Sequence, residues 1–369
     1  MEVKFTKLEV PTRQIKNRYL KSVKELLNGG NFILTKEVWE FEEAWAKILN
    51  VKYCIGTSNG ADSLYLALLA CGVGPGDEVI TQGNAYNATV VAILRTGAIT
   101  RFADINSDTL QIDVSKIEKL ITPKTKAILP VHLFGQANNM EVICKIAKNQ
   151  GIAVVEDCAQ AHLARFKDKL VGSWGNVGAF SFYPTKNLGA FGDAGAVVTN
   201  DEKIYKKILS LRNLGEISKN NHECLGFNMR LDPIQALCLK LKLDFLNENT
   251  KKREEAGAYY DKLIEKAGFP VKPVKRDQNA NHVYHLYVVQ SENYNRDKLK
   301  KELLNRGVQT AIHYPFPVYR QPFYRKPADF CPVTDEVSGK ILSLPIFVGI
   351  TKKEQVYVIQ SIKEIISNG

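Results

Sequence analysis

No uninterrupted apolar run in the 369-residue chain approaches the roughly 18 residues that a membrane-spanning helix needs. The opening stretch, MEVKFTKLEV, also lacks the apolar core of a secretory signal. Together these absences predict a cytoplasmic protein with no membrane partner. The seven cysteines, Cys54, Cys71, Cys144, Cys158, Cys224, Cys238 and Cys331, are odd in number and include no C-x-x-C pair. That spacing excludes a disulfide framework and a zinc cage. The six histidines form neither H-x-x-x-H nor H-E-x-x-H, so no metal site is expected. The phosphate-binding pattern G-x-G-x-x-G is missing too: GTSNGAD (56–62) and GAFGDAG (189–195) are spaced differently, which argues against a nicotinamide dehydrogenase.

What the chain does have is positive charge, +11 in all, but spread rather than focused. Lysines alternate with acids in stretches such as NTKKREE, the pattern of a solvated face. No RNP-like strand, helix-turn-helix or zinc finger gathers them, so no nucleic-acid partner is expected. An anionic small molecule such as a nucleotide diphosphate accounts for the surplus equally well. Hydrophobic content of 45% and charged content of 24% are ordinary for a globular protein. The length exceeds one comfortable core and favours a large domain with a smaller companion.

From KYCIG (52–56) to GAVVTN (195–200), short apolar strands alternate with helical stretches such as ADSLYLALLACG and NMEVICKIAKNQG. This alternation predicts an α/β fold, a layered, mostly parallel sheet with helices on both faces. Gly72, Gly97 and Gly151 stand where helices should end. A long helical pattern from about residue 232 leads out of this unit, and the remainder reads as a small α+β domain. The expected division is 1–245 for the N-terminal segment and large domain, and 246–369 for the small one.

ILPVHLFG, IAVVEDCAQA and GAFSFYPTKN each end an apolar body in polar or small residues, as buried parallel strands do at a functional carboxyl edge. Asp157, Gln160, Ser181 and Lys186 would converge there. A lysine and a carboxylate at neighbouring strand ends suit pyridoxal 5'-phosphate (PLP) chemistry. The amine forms a Schiff base with the cofactor aldehyde, and the carboxylate keeps the pyridine nitrogen protonated. Read singly, Lys186 would be a solvated lysine and Asp157 a strand-end turn residue. GTSNGADSL adds Ser58, Asn59, Gly60 and Ala61 between a strand and a helix, where free N–H groups favour an anion.

With GGNFILTKEVWEFEEAWAKILNVKYCIGTSNGADSL, VEDCAQAH, SFYPTKNLGAFGDAGAVVTND, GFNMRLDPIQA and IHYPFPVY in order along nearly its whole length, the chain resembles the DegT/StrS family of sugar aminotransferases. These are PLP enzymes of the aspartate aminotransferase fold (fold type I). The resemblance implies a large domain built on a mostly parallel seven-stranded sheet. It assigns Lys186 as the catalytic Schiff-base lysine. Gly60, Ala61 and Ser181 would hold the cofactor phosphate, Tyr86 its ring face, Asp157 its pyridine nitrogen and Gln160 its 3'-oxygen. Asn228 would reach the phosphate in a neighbouring subunit, making the protein a homodimer with shared sites. His162 carries little weight and reads as a packing histidine.

The implied reaction takes the amino group from L-glutamate, stores it as pyridoxamine 5'-phosphate and gives it to a nucleotide-linked keto sugar, as in deoxyaminosugar or surface-glycan biosynthesis. KNNHECLGFNMRLDPIQ and SFYPTKNLGAFGDAGAV look closer to members that aminate C-3 of a dTDP- or UDP-linked sugar than to C-4 enzymes. Tyr183, Lys219, His222, His313, Tyr314 and Tyr319 are the candidates for substrate contacts. Three positions depart from the family: Thr35 and Leu163 where glycine is usual, and Tyr319 where many members carry histidine. A non-catalytic regulator keeping the same fold is the other reading, and the intact set Asp157, Gln160, Ser181 and Lys186 argues against it.

Overall fold

Runs rich in β-branched and small residues form the sheet, because such side chains fit a pleated surface covered on both sides. The strands are β1 (Tyr53–Thr57), β2 (Glu78–Gln82), β3 (Ile99–Ala103), β4 (Thr125–Ile128), β5 (Ala153–Asp157), β6 (Val177–Ser181) and β7 (Gly195–Thr199). In this computed structural model, which describes residues 1–8, 13–268, 271–325 and 329–367, they make one seven-stranded sheet. Its order is β1-β7-β6-β5-β4-β2-β3. β7 is antiparallel to both neighbours, and every other pairing is parallel. The expected architecture is therefore present: β1, β2, β4, β5 and β6 all end at one edge.

Neighbouring residues of six of the strands enter two separate cores. Cys54, Ile80, Ile128, Val154, Phe180 and Val198 pack on one face, and Ile55, Val79, Ala127, Val155, Ala179 and Val197 on the other. Gly72, Gly97 and Gly151 close helices in left-handed conformations (φ 79°, 82° and 66°) that residues with a Cβ avoid.

The helix Lys36–Leu49 covers the first face with Phe41 and Trp45, both fully buried. Trp45 meets Phe180 and Phe182 edge-on, with ring centroids 5.3 and 5.8 Å apart. The same helix buries Glu42, whose Oε1 accepts the Gly56 N–H (2.7 Å) and an N–H of Arg212. Arg212 also donates to the Gly56 carbonyl at 2.7 Å. This cluster ties β1 to two helices, and removing one partner of such a buried pair typically costs about 3–5 kcal/mol.

The helix Pro233–Ala267 is continuous through the expected division near residue 245. Beyond it lie a three-stranded antiparallel sheet (Val271–Pro273, Tyr287–Ser291 and Ile341–Leu344) and the helices Arg296–Asn305 and Lys352–Ser367. Val3 joins this C-terminal unit, since its N–H donates to Gly307 O (2.8 Å) and its carbonyl accepts from Gln309 N (2.9 Å). Among the described residues, no helix is long and apolar enough to cross a membrane.

Candidate active site

The strand ends that share one edge surround a cavity of about 540 Å³. Of the residues singled out from the sequence, Gly60, Ala61, Tyr86, Asp157, Gln160, Ser181, Tyr183, Lys186, His313 and Tyr314 line it. One wall is the start of helix Gly60–Ala70. Its N-cap Asn59 accepts the Asp62 N–H at 2.9 Å, and the Ser63 N–H bonds to Asn59 O at 3.0 Å. The N–H groups of Gly60 and Ala61 have no acceptor among the described residues, so an anion in the cavity meets unsatisfied donors at the positive end of a helix. Only glycine fits at position 60: a Cβ there would lie 2.5 Å from Ser181 Cβ. The closeness brings the Ser181 hydroxyl to the same cradle.

Asp157 ends β5 almost fully buried. Thr89 Oγ1 donates to its Oδ2 (2.8 Å) and the Ala159 N–H to its Oδ1 (3.1 Å). Burial nevertheless pushes its pKa up, against these two bonds and the nearby Lys186 and His132. Lys186 lies deep in the fold with part of its surface open to the cavity. Burial brings its amine down from 10.5 to about 8, although Asp157 pulls the other way. Desolvation thus outweighs mutual attraction for both groups. The lysine is the more nucleophilic for it.

Gln160 is oriented by its own amide. Its Oε1 accepts the Phe134 N–H (2.7 Å), so Nε2 donates to the Tyr314 hydroxyl (3.1 Å) and faces the cavity as a donor. The Tyr86 and Tyr314 rings stand 5.2 Å apart at the mouth, tilted by 32°. His313 bonds Ser343 Oγ through Nδ1 (2.8 Å) and stacks on Phe5; burial, then Lys186, lowers its pKa to about 4. His162 packs among Trp45, Phe180 and Phe182, and burial lowers it to about 3.

Four expected site residues lie elsewhere. Asn228, Lys219 and His222 are exposed and do not line this chain's cavity; the last two belong to the hairpin of Glu216–Ser218 and Asn221–His222. Tyr319 points its hydroxyl to Asp335 (3.1 Å) and packs edge-on against Phe102. Thr89 and His285 escaped the sequence reading because long-range packing brings them to the cavity, and Asn187, next to Lys186 in the chain, because its partner His285 is distant in sequence.

His132, Glu156 and Cys158 come within 4.8 Å of one another, deep inside. The acceptor capacity of Glu156 is already used: Oε1 takes the N–H groups of Trp174 and Gly175, and Oε2 takes that of Gly172 and faces His132 Nε2. The cluster therefore pins the loop 172–175 to β5. The donor set of the cavity suits a PLP molecule: free N–H groups and a hydroxyl for a phosphate, a buried carboxyl for a ring nitrogen, and a desolvated amine for the aldehyde. With no PLP present, an amine reagent should label Lys186 with a midpoint near pH 8, its reactive neutral fraction growing as pH rises. Mass-spectrometric labelling checks this, and a midpoint near 10.5, the ordinary lysine value, contradicts it.

Comparison with known proteins finds relatives over nearly the whole chain. The chain is 41% identical over 355 residues to the dTDP-3-amino-3,6-dideoxy-alpha-D-galactopyranose transaminase of Aneurinibacillus thermoaerophilus (95% of this chain, 97% of that one). It is 38% identical over 368 residues to a pleiotropic regulatory protein of Geobacillus stearothermophilus (99% and 98%). Among solved structures, S. venezuelae DesV in complex with a ketimine intermediate superposes with a TM-score of 0.93 at 36% identity, covering 98% of each chain. The DegT/DnrJ/EryC1/StrS aminotransferase family matches residues 13–363. The chain belongs to that family and is an aminotransferase.

Proposed function

We propose that the protein binds PLP through Lys186 and moves the amino group of L-glutamate onto C-3 of a dTDP- or UDP-linked keto-deoxysugar. The observation that carries this reading is the placement of Lys186 and Asp157 in one cavity, beside the free N–H groups of Gly60 and Ala61. PLP, when bound, supplies an electron sink for the carbon that bears the migrating amino group.

The chain's own residues supply the rest. Asp157, held by Thr89 and the Ala159 N–H, keeps a proton on the ring nitrogen and so favours the electron-poor form. Ser181 and the start of helix Gly60–Ala70 anchor the phosphate end. Gln160 donates toward the ring's oxygen substituent from a fixed amide, and Tyr86 covers the ring face. With PLP bound, the free Lys186 amine would be the group that takes up and gives back the proton of the amino acid's α-carbon. Its depressed pKa suits it to both roles near neutral pH. His313, Tyr314 and Tyr183 border the space left for the sugar.

Asn228, Lys219 and His222 are exposed, which fits a homodimer in which they complete the partner's site. Tyr319 has its hydroxyl committed to Asp335 and its ring packed on Phe102.

Two experiments test this reading. Adding L-glutamate to the PLP-loaded protein should bleach its visible absorption, and one nucleotide-linked 3-keto sugar should restore it. Recovery with a 4-keto sugar alone would move the site of amination to C-4. No response to any amino donor would point to a protein that does not turn over. For the shared site, co-expressing Lys186→Ala with Asn228→Ala chains should give mixed dimers that regain up to about half the wild-type activity, since one site per dimer is then intact. If the sites are not shared, the mixture is no more active than its better parent.

A further inference from the structure

His285 lines the same cavity as Lys186, and nothing in the proposed chemistry uses it. Its position comes from an unusual backbone. Tyr284, the residue before it, has φ 46°, a left-handed conformation that a bulky side chain rarely adopts. Several contacts impose it: the Tyr284 N–H donates to His282 Nδ1 (2.9 Å), its carbonyl accepts from Arg253 (3.0 Å), and its ring stacks on His282 with centroids 4.3 Å apart. The flanking residues are pinned as well, Val283 N–H to Gly135 O (2.9 Å) and Leu286 N–H to Phe134 O (3.2 Å). Strain maintained by this many partners is characteristic of a functional position. Here it turns one imidazole into the cavity.

The ring's hydrogen bonding is set by Asn187, the residue that follows Lys186. Asn187 Nδ2 donates to the Val283 carbonyl (3.0 Å), which leaves its Oδ1 to accept from His285 Nδ1 (3.3 Å). His285 therefore carries its proton on Nδ1, and Nε2 is a bare acceptor. Burial first, then the positive charge of Lys186 and Arg253 and the neighbouring His313 and His162, hold its pKa well below the ordinary value. Lys186 lines the same cavity, and its Nζ makes no hydrogen bond among the described residues. An acceptor and a donor, each without a partner among the described residues, thus line one cavity.

We propose that His285 is a positioning residue for Lys186: its Nε2 accepts a hydrogen bond from the lysine amine when the amino donor releases it, and holds Nζ where it transfers the substrate proton. Asn187 acts behind it by fixing the tautomer. The proposal rests on the aminotransferase reading and adds a residue to it.

His285→Phe, His285→Gln and Asn187→Ala test it, with two measurements. In the protein freed of PLP, loss of the acceptor in His285→Phe should lower the pH midpoint of Lys186 labelling by about half a unit or more, roughly a threefold change in the protonation equilibrium. In the PLP-loaded protein the same variant should lower kcat for the glutamate half-reaction about tenfold while KM changes less than about twofold, with a larger isotope effect from α-deuterated glutamate. His285→Gln, whose amide oxygen can take the acceptor role, should recover most of both effects. Asn187→Ala should show them in weaker form and add nothing in the His285→Phe background. If His285→Phe does not fold, His285→Gln and Asn187→Ala decide the matter alone, a Lys186 midpoint and kcat at wild-type values in Asn187→Ala counting against the proposal. Wild-type midpoint and kcat in His285→Phe, an effect on KM only, or additive losses in the double variant would overturn it. An inactive wild type would instead overturn the aminotransferase reading.

Discussion

A lysine and a carboxylate withdrawn from water into one cavity is the constraint on which the rest of this structure depends. Burial shifts each toward its neutral form, and their mutual attraction only partly opposes that shift. A ligand that offers an aldehyde to the amine and a protonated nitrogen to the carboxylate resolves both costs at once. The sheet's strand order places the two groups in register. β5 delivers Asp157, the adjacent β6 leads through Ser181 into the segment carrying Lys186, and the parallel β1 starts the helix whose free N–H groups face the same space.

Much of this was legible in the sequence because the relevant signals are local. IAVVEDCAQA ends a buried strand in a carboxylate, and GTSNGAD is a strand-to-helix turn that only glycine can make beside Ser181. Thr89, Asn187 and His285 were not legible. Thr89 is a helix residue 68 positions from the carboxylate it bonds, and Asn187 lies 98 positions from its histidine. Nothing in the sequence marks these pairings; only the folded topology does. Tyr319 shows the converse, a residue expected at the substrate whose hydroxyl is held by Asp335.

The departures at Leu163 and Thr35 acquire a physical meaning. Leu163 adopts φ 67°, the left-handed region where glycine is unstrained, and its side chain packs half-buried against the first core. Thr35 caps the helix Lys36–Leu49 from an extended conformation, with Leu34 before it at φ 47°. Its hydroxyl bonds to Glu37. Neither residue lines the cavity that holds Lys186 and Asp157.

The most direct test is to incubate the purified protein with PLP, reduce it with borohydride and locate the resulting pyridoxyl group by peptide mapping. The account predicts the label on Lys186, with Asp157→Asn reducing its yield. Label spread over exposed lysines, with Lys186 unmodified, would contradict it.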